Sequence, residues 1–214
     1  MASELPARSG RLPVSARGVR TRQALVNAAR KVFERDGFLD ARIIDIATAA
    51  GVASGSFYTY FNSKEDVFAA VMEEVNEEML HPRLREFADR DDPVSVIEAA
   101  NRSYLAAYRR NVKLMALMEQ VAQIDEQFRR LRLRRVRSFT ERNAQAIAQL
   151  QQRGLADPEL DPQLAAQALS AMVGRMAYFR YVQGFGNTSV DTLARTLTRL
   201  WAGALGIPPS KPRR

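Results

Sequence analysis

The 214-residue chain has no cysteine and one histidine, which removes disulfide staples, thiolate zinc sites and cysteine nucleophiles together. His81 has no second imidazole to share a metal with; it is read as a cap for the preceding helix or as a polar contact for a guest molecule. The first residues hold no apolar signal-peptide core, and no uninterrupted apolar stretch approaches the roughly twenty residues of a membrane helix. No segment alternates with a period of two, no unit repeats, and no glycine-rich phosphate loop follows a strand. An enzyme needs a constellation of nucleophile, base or metal groups, and these absences leave little to build one. The expectation is a soluble cytoplasmic all-α protein of about nine helices, without metal, cofactor or membrane contact.

Positive charge is abundant. The formal net charge is +8 and the isoelectric point is near 10.3, a balance suited to a polyanionic partner. Residues 1–64 carry ten basic against five acidic side chains, so the excess is concentrated at the N-terminal end. There Arg8, Arg11, Arg17, Arg20 and Arg22 lie in or beside a stretch containing Pro, Gly and Ser, with no apolar period before Ala24. Residues 1–16 therefore read as a disordered basic arm, able to follow a nucleic-acid backbone or enter its minor groove, or serving only solubility.

The segment that follows is more specific. Leu25, Ala28, Ala29, Val32 and Phe33 recur at helical spacing and predict a packing helix that stops near Gly37. After a break at Asp40, Ile43, Ile46, Ala47 and Ala50 repeat the period, and Gly51 supplies the backbone freedom of a sharp interhelical turn. Phe57 and Phe61, four apart, plug a small core and leave Ser54, Gly55, Ser56, Tyr58 and Thr59 on other faces of a very short helix. Ser63 with Asp66 forms a capping-box pattern for the next helix. Lys64 in that first turn is electrostatically unfavourable unless an external anion such as a phosphate is present. Taken singly, Tyr58 and Tyr60 also fit half-buried aromatics, and Lys64 a solvated lysine.

These residues carry a resemblance. Ala28-Ala29, Phe33, Gly37-Phe38, Asp45-Ile46-Ala47, Ala49-Ala50-Gly51-Val52, Gly55-Ser56-Phe57-Tyr58, Tyr60-Phe61 and Ser63-Lys64-Glu65 closely resemble the N-terminal domain of the TetR family of transcriptional regulators. The resemblance implies a three-helix helix–turn–helix domain over residues 17–64, with its recognition helix beginning at Ala53. It also implies DNA contacts from Arg42, Thr48, Ser54, Gly55, Ser56, Tyr58, Thr59, Tyr60 and Lys64: bases for Ser54, Gly55 and Ser56, phosphates for Tyr58, Tyr60 and Lys64. Ala41-Arg42 stands where the family often has Thr-Thr, and Ala53-Ser54 where it often has Ser-Lys. A capping hydroxyl and a basic contact are thus missing, to be replaced by a cap shifted to Ser54 or by the cation of Arg42.

Residues 65–207 read as a helical ligand-binding and dimerisation domain, with 208–214 as a tail. Helix boundaries are expected at His81-Pro82, at Asp92-Pro93, at a bend over residues 109–112, at Asp125, at Gly154, at Asp161-Pro162, near Gly184 and at Thr188. The eighth helix is apolar over more than one face and needs partners on two sides. With the ninth it is expected to form a two-fold homodimer seam through Leu169, Val173, Leu193, Leu197, Leu200 and Trp201. Tyr104, Tyr108, Met115, Met118, Phe128, Phe139, Met172, Met176 and Phe179 are the candidates for lining a ligand cavity, aromatic and Met side chains suiting an apolar guest. Arg129, Arg130, Arg132, Arg134, Arg135 and Arg137 spread around one helix; most are expected in solvent, with an anionic guest such as a coenzyme A thioester, then extra DNA contact, as alternatives. Together these features point to a regulator that binds a palindromic double-stranded DNA operator as a homodimer and is released by an apolar or acyl-thioester-like effector. The alternative is a constitutive DNA-packaging protein with no effector.

Overall fold

Ser15 sets the first turn: its Oγ accepts the Gly18 amide at 3.1 Å and caps α1 (Ala16–Asp40). The computed structural model describes residues 15–80 and 92–208. Because α1 starts at Ala16, Arg17, Arg20 and Arg22 lie on a helix and not in an arm; Thr21 back-bonds to the Arg17 carbonyl at 3.0 Å, and the Arg22 guanidinium sits 4.9 Å from the Phe61 ring centre. Arg8 and Arg11 lie outside the described residues. At Gly37 (φ 79°) the helical path breaks, turning Phe38 back onto Phe33 and Phe68, with ring centres 5.7 and 5.1 Å apart.

The chain forms two compact units, Met1–Val75 and Asn76–Arg214. In the first, α2 (Ile43–Ala49) and α3 (Ser54–Phe57) follow α1, and α4 (Lys64–Leu80) begins. Gly51 takes φ 70° in the α2–α3 turn, the left-handed conformation that its lack of a Cβ makes cheap. Leu25, Val26, Ala29, Val32, Phe33, Ile46, Ala47, Phe57 and Phe61 close the core. Val67, Phe68, Val71 and Val75 of α4 are buried as well, so the unit boundary falls inside that helix, whereas the punctuation at Ser63 predicts one after residue 64. Ser63 Oγ accepts the Asp66 amide at 3.2 Å as the box pattern requires, but the Asp66 carboxylate accepts from Asn62.

In the second unit α5 (Pro93–Arg110), α6 (Val112–Val121), α7 (Glu126–Gln152), α8 (Pro162–Tyr181) and α9 (Val190–Ala204) are joined by the expected punctuation. Asp92, Asp125 and Asp161 cap the helices that follow them, and Gly154 (φ 67°) ends α7. Asn111 makes the α5–α6 bend, its Nδ2 donating to the Ala107 carbonyl at 2.9 Å and to Glu78 at 3.0 Å. The cap of α9 is Ser189 and not Thr188: Ser189 Oγ accepts the Thr192 amide, while the Thr188 carbonyl accepts from Arg180. The expected stop at His81-Pro82 lies outside the described residues. Among those residues the fold is all-α, with nine helices and no strand.

Most of the expected seam is covered within one chain. α9 packs on α5, and α8 on α7 and α5. Leu169, Val173, Leu193, Leu197 and Trp201 are buried within the single chain, and of the six only Leu200, 51% exposed, remains at the surface. A stripe of helical period marks the face that is buried; it does not say whether the chain itself or a second copy buries it.

Candidate DNA interface and ligand cavity

The α2–turn–α3 segment presents Arg42, Thr48, Ser54, Gly55, Tyr58 and Thr59 to solvent, with Ser56, Tyr60 and Lys64 half-buried. Tyr58 is 60% exposed; its ring meets that of Phe57 in a T-shaped contact, centres 5.5 Å apart. Ala53 occupies the N-cap of α3 and offers no side-chain bond, and Ser54 is already the first helical residue. The missing hydroxyl is therefore not replaced by a shifted cap. One turn of helix without a cap is held by Phe57 below it, not by its own ends.

Two expected cations are already engaged. Arg42 forms a fork with Asp45, at 2.8 and 2.9 Å; these hydrogen bonds hold the Asp45 carboxyl below its ordinary range. A phosphate that recruits Arg42 has to compete with that carboxylate. Lys64 Nζ donates to the Leu39 carbonyl at 3.0 Å and lies 4.8 Å from the Phe38 ring centre. Its place in the first turn of α4 is thereby explained without a phosphate, though an ammonium group keeps two further donors.

Gly55 has a different character. A Cβ built there meets nothing within 4 Å, so packing inside the chain does not require glycine. Glycine in a helix costs about 0.5–1 kcal/mol relative to alanine. Gly55 is therefore a candidate for close approach by a DNA surface. Gly55→Ala is expected to raise the melting temperature slightly and to weaken DNA binding; unchanged affinity in a binding titration would remove Gly55 from the contact surface.

The second unit encloses a cavity of about 620 Å³ between α5, α7, α8 and α9, with Met79 of α4 and Met115 and Glu119 of α6 in its wall. Of the predicted lining residues, Tyr104, Tyr108, Met115 and Phe139 border it. Met118 and Phe128 do not: both are buried in the helical core. Met172, Met176 and Phe179 also miss it, because α8 turns Gly174, Arg175 and Tyr178 toward the cavity. Burial pushes the Tyr108 phenol above its ordinary range.

Those nine candidates held no charged or amide side chain, and the arginine cluster was expected mostly in solvent. Arg132, Arg135, Phe139, Arg142, Ala146 and Leu150 follow one face of α7 and all border the cavity. Within the arginine cluster, Arg132 and Arg135 turn inward while Arg129, Arg130, Arg134 and Arg137 are exposed. Asn143 is fixed by a 2.8 Å bond to Ser170, and the buried Nε1 of Trp201 has no hydrogen-bond partner. Arg142, Ala146, Gln167, Ala171 and Arg175 border the cavity and are exposed, which places its mouth between α7 and α8. The i, i+3, i+7, i+10 spacing from Arg132 was a readable signal once this face of α7 was known to point inward.

Among the described residues no group of three His, Cys, Asp or Glu side chains converges on a metal position, and no helix is long and apolar enough to cross a membrane.

Residues 25–71 match the family described as bacterial regulatory proteins, tetR family, and residues 94–214 match the tetracyclin repressor-like C-terminal domain. The chain is 36% identical over 76 residues to the uncharacterized HTH-type transcriptional regulator YdgC of Bacillus subtilis, an alignment spanning only 36% of either protein. It is 26% identical over 162 residues to the HTH-type transcriptional regulator TtgR of Pseudomonas putida, covering 72% of this chain and 76% of that one. Its fold resembles that of the transcriptional regulator FadR of Bacillus subtilis solved in complex with stearoyl-CoA, with a TM-score of 0.70 at 17% identity over 84% of this chain and 96% of that one.

Proposed function

The chain belongs to the TetR family of bacterial regulatory proteins, and from that membership we infer that this transcriptional regulator, which is not an enzyme, works as a cytoplasmic repressor. It binds a palindromic operator as a homodimer and is released when an amphipathic small molecule enters the cavity. The observation that carries this reading is the coexistence of an exposed α2–α3 face, bearing Thr48, Ser54, Gly55, Tyr58 and Thr59, with a cavity of about 620 Å³ in the other unit. That volume lies within the range of small-molecule sites. A protein that only packages DNA has no use for such a cavity. FadR of Bacillus subtilis was solved with stearoyl-CoA, an apolar chain with an anionic head, and a wall of apolar and arginine side chains suits a guest of that general class.

The dimer uses what one chain leaves uncovered. Leu164 and Met176 of α8 and Leu200 of α9 are exposed, with Ala168 and Ala204 exposed beside them on the same helices. A two-fold axis through these faces pairs each with its own copy, and the same axis makes the operator palindromic. Two recognition helices then enter successive major grooves roughly 34–36 Å apart at the smallest spacing.

Footprinting on random-sequence DNA tests the operator: protection of one inverted repeat is expected, and protection without sequence preference would favour the packaging alternative. Lys64→Ala is expected to weaken binding to all sequences alike and to lower the salt slope by about one. An unchanged slope accompanied by a lower melting temperature would assign Lys64 to Leu39 and Phe38 alone.

A further inference from the structure

Two guanidinium groups in the cavity wall have unfinished chemistry. Arg132 and Arg135 sit at i, i+3 on the inward face of α7. The Nε–H of each is buried without a hydrogen-bond partner, and a buried donor left unmet is costly, more so when it is charged. Their other nitrogens are loosely held: Arg132 Nη1 is 3.5 Å from Glu119 Oε2, and Arg135 Nη2 is 3.5 Å from the Tyr104 hydroxyl and 3.4 Å from the Met79 sulfur. The Arg135 guanidinium lies 5.5 Å from the Phe139 ring centre, which holds it in place.

Charge decides what is missing. Glu119 is the one acid among the described lining residues, against Arg132, Arg135, Arg142 and Arg175, so the wall carries a net positive charge. Arg175 is exposed at the mouth, whereas burial lowers the pKa of Arg142, whose charge is partly desolvated as well. Buried charges are paired, and a planar group with two oxygen acceptors matches guanidinium geometry.

Resting on the reading of this cavity as the effector site, we propose that Arg132 and Arg135 receive the carboxylate of a single-headed amphiphile, a free fatty acid or similar apolar carboxylic acid, whose tail runs along Ile147, Leu150 and Trp201. The anion accepts from the guanidinium Nη groups, which Glu119 and Tyr104 hold only at 3.5 Å. An alcohol or ester would bring no charge. From Arg132 to Leu150, both in the wall, α7 rises about 27 Å at 1.5 Å per residue, long enough for an extended chain.

The only tryptophan in the sequence, Trp201, lines the cavity, so its emission reports occupancy in the DNA-free protein. Straight-chain acids from octanoate to octadecanoate, kept below micelle formation, would be titrated beside methyl esters and coenzyme A thioesters of equal length. At least one acid is expected to bind saturably, with its ester at least about tenfold weaker. Arg135→Gln, and independently Arg132→Gln, should weaken the acid by about ten- to a hundredfold, the range for a hydrogen bond to a charged group, and leave the ester unchanged.

Equal affinity for acid and ester in the unaltered protein overturns the proposal without any variant. So does tighter binding of the thioester than of the acid, or failure of every acid to bind. Operator release is read separately: an acid held through Arg135 while DNA stays bound would remove the switching role and leave the site standing.

Discussion

Leu197→Asp is expected to unfold the second unit, whereas Leu200→Asp should leave the fold intact and produce monomers. Leu197 is 1% exposed within a single chain, on the helix that packs against α5, and a carboxylate placed there would be buried without a partner. Losses above about 4 kcal/mol are expected for such a change, out of a total stability of about 5–15 kcal/mol. Leu200 is 51% exposed and contributes little to the chain's own core, so its replacement should shift monomer stability by no more than about 0.5 kcal/mol. At a two-fold seam, however, the new charge is introduced twice. Circular dichroism and sedimentation velocity on the two variants separate the cases. A folded, monomeric Leu197→Asp protein would restore the buried stripe of α9 as the seam, and a dimeric Leu200→Asp protein would move the seam off the exposed side of α9.

Effector and operator are expected to oppose each other by about a hundredfold. Glu78 near the end of α4 accepts from Arg110 at 2.8 Å and from Asn111 at 3.0 Å, and Met79 is part of the cavity wall. The same helix starts at Lys64, immediately after the recognition segment. On the proposed reading, a guest that spreads the wall is expected to displace the Glu78–Met79 end of α4 and so to change operator affinity. A hundredfold change in operator affinity requires the guest to bind the DNA-free form about 2.7 kcal/mol more tightly, and linkage requires DNA to weaken the guest by the same factor. Titrating a binding acid with and without saturating operator measures both sides of the cycle. A guest with equal affinity in both states shifts nothing and would be refuted as the inducer.

Much of the architecture was legible because it is written within a few residues. Asp92, Asp125 and Asp161 each stand two or three residues from the amides they cap, Gly51 and Gly154 occupy positive φ, and the Phe57–Phe61 pair is buried at its i, i+4 spacing. The exposure of Ser54, Gly55, Tyr58 and Thr59 was legible for the same reason, since a single turn of helix with a buried Phe57 leaves few other faces to expose. Where local signals compete, the result was displaced by a residue, as when Ser189 and not Thr188 capped α9.

By itself, then, the amino-acid order determined the helices, most of their caps and turns, the all-α class and the family, because each rests on local spacing or on a dense motif. Only the tertiary structure decided which apolar face belongs to whom. Trp201 and Leu197 turned inward, and Met172, Met176 and Phe179 turned away from the cavity that Gly174 and Tyr178 border. It likewise gave Lys64 a partner twenty-five residues away at Leu39 and selected Arg132 and Arg135 from six arginines on one helix. The physical reason is common to all of these. Periodicity shows that a side chain will lose its water, but the neighbour that replaces the water lies far along the chain, and only packing brings it there.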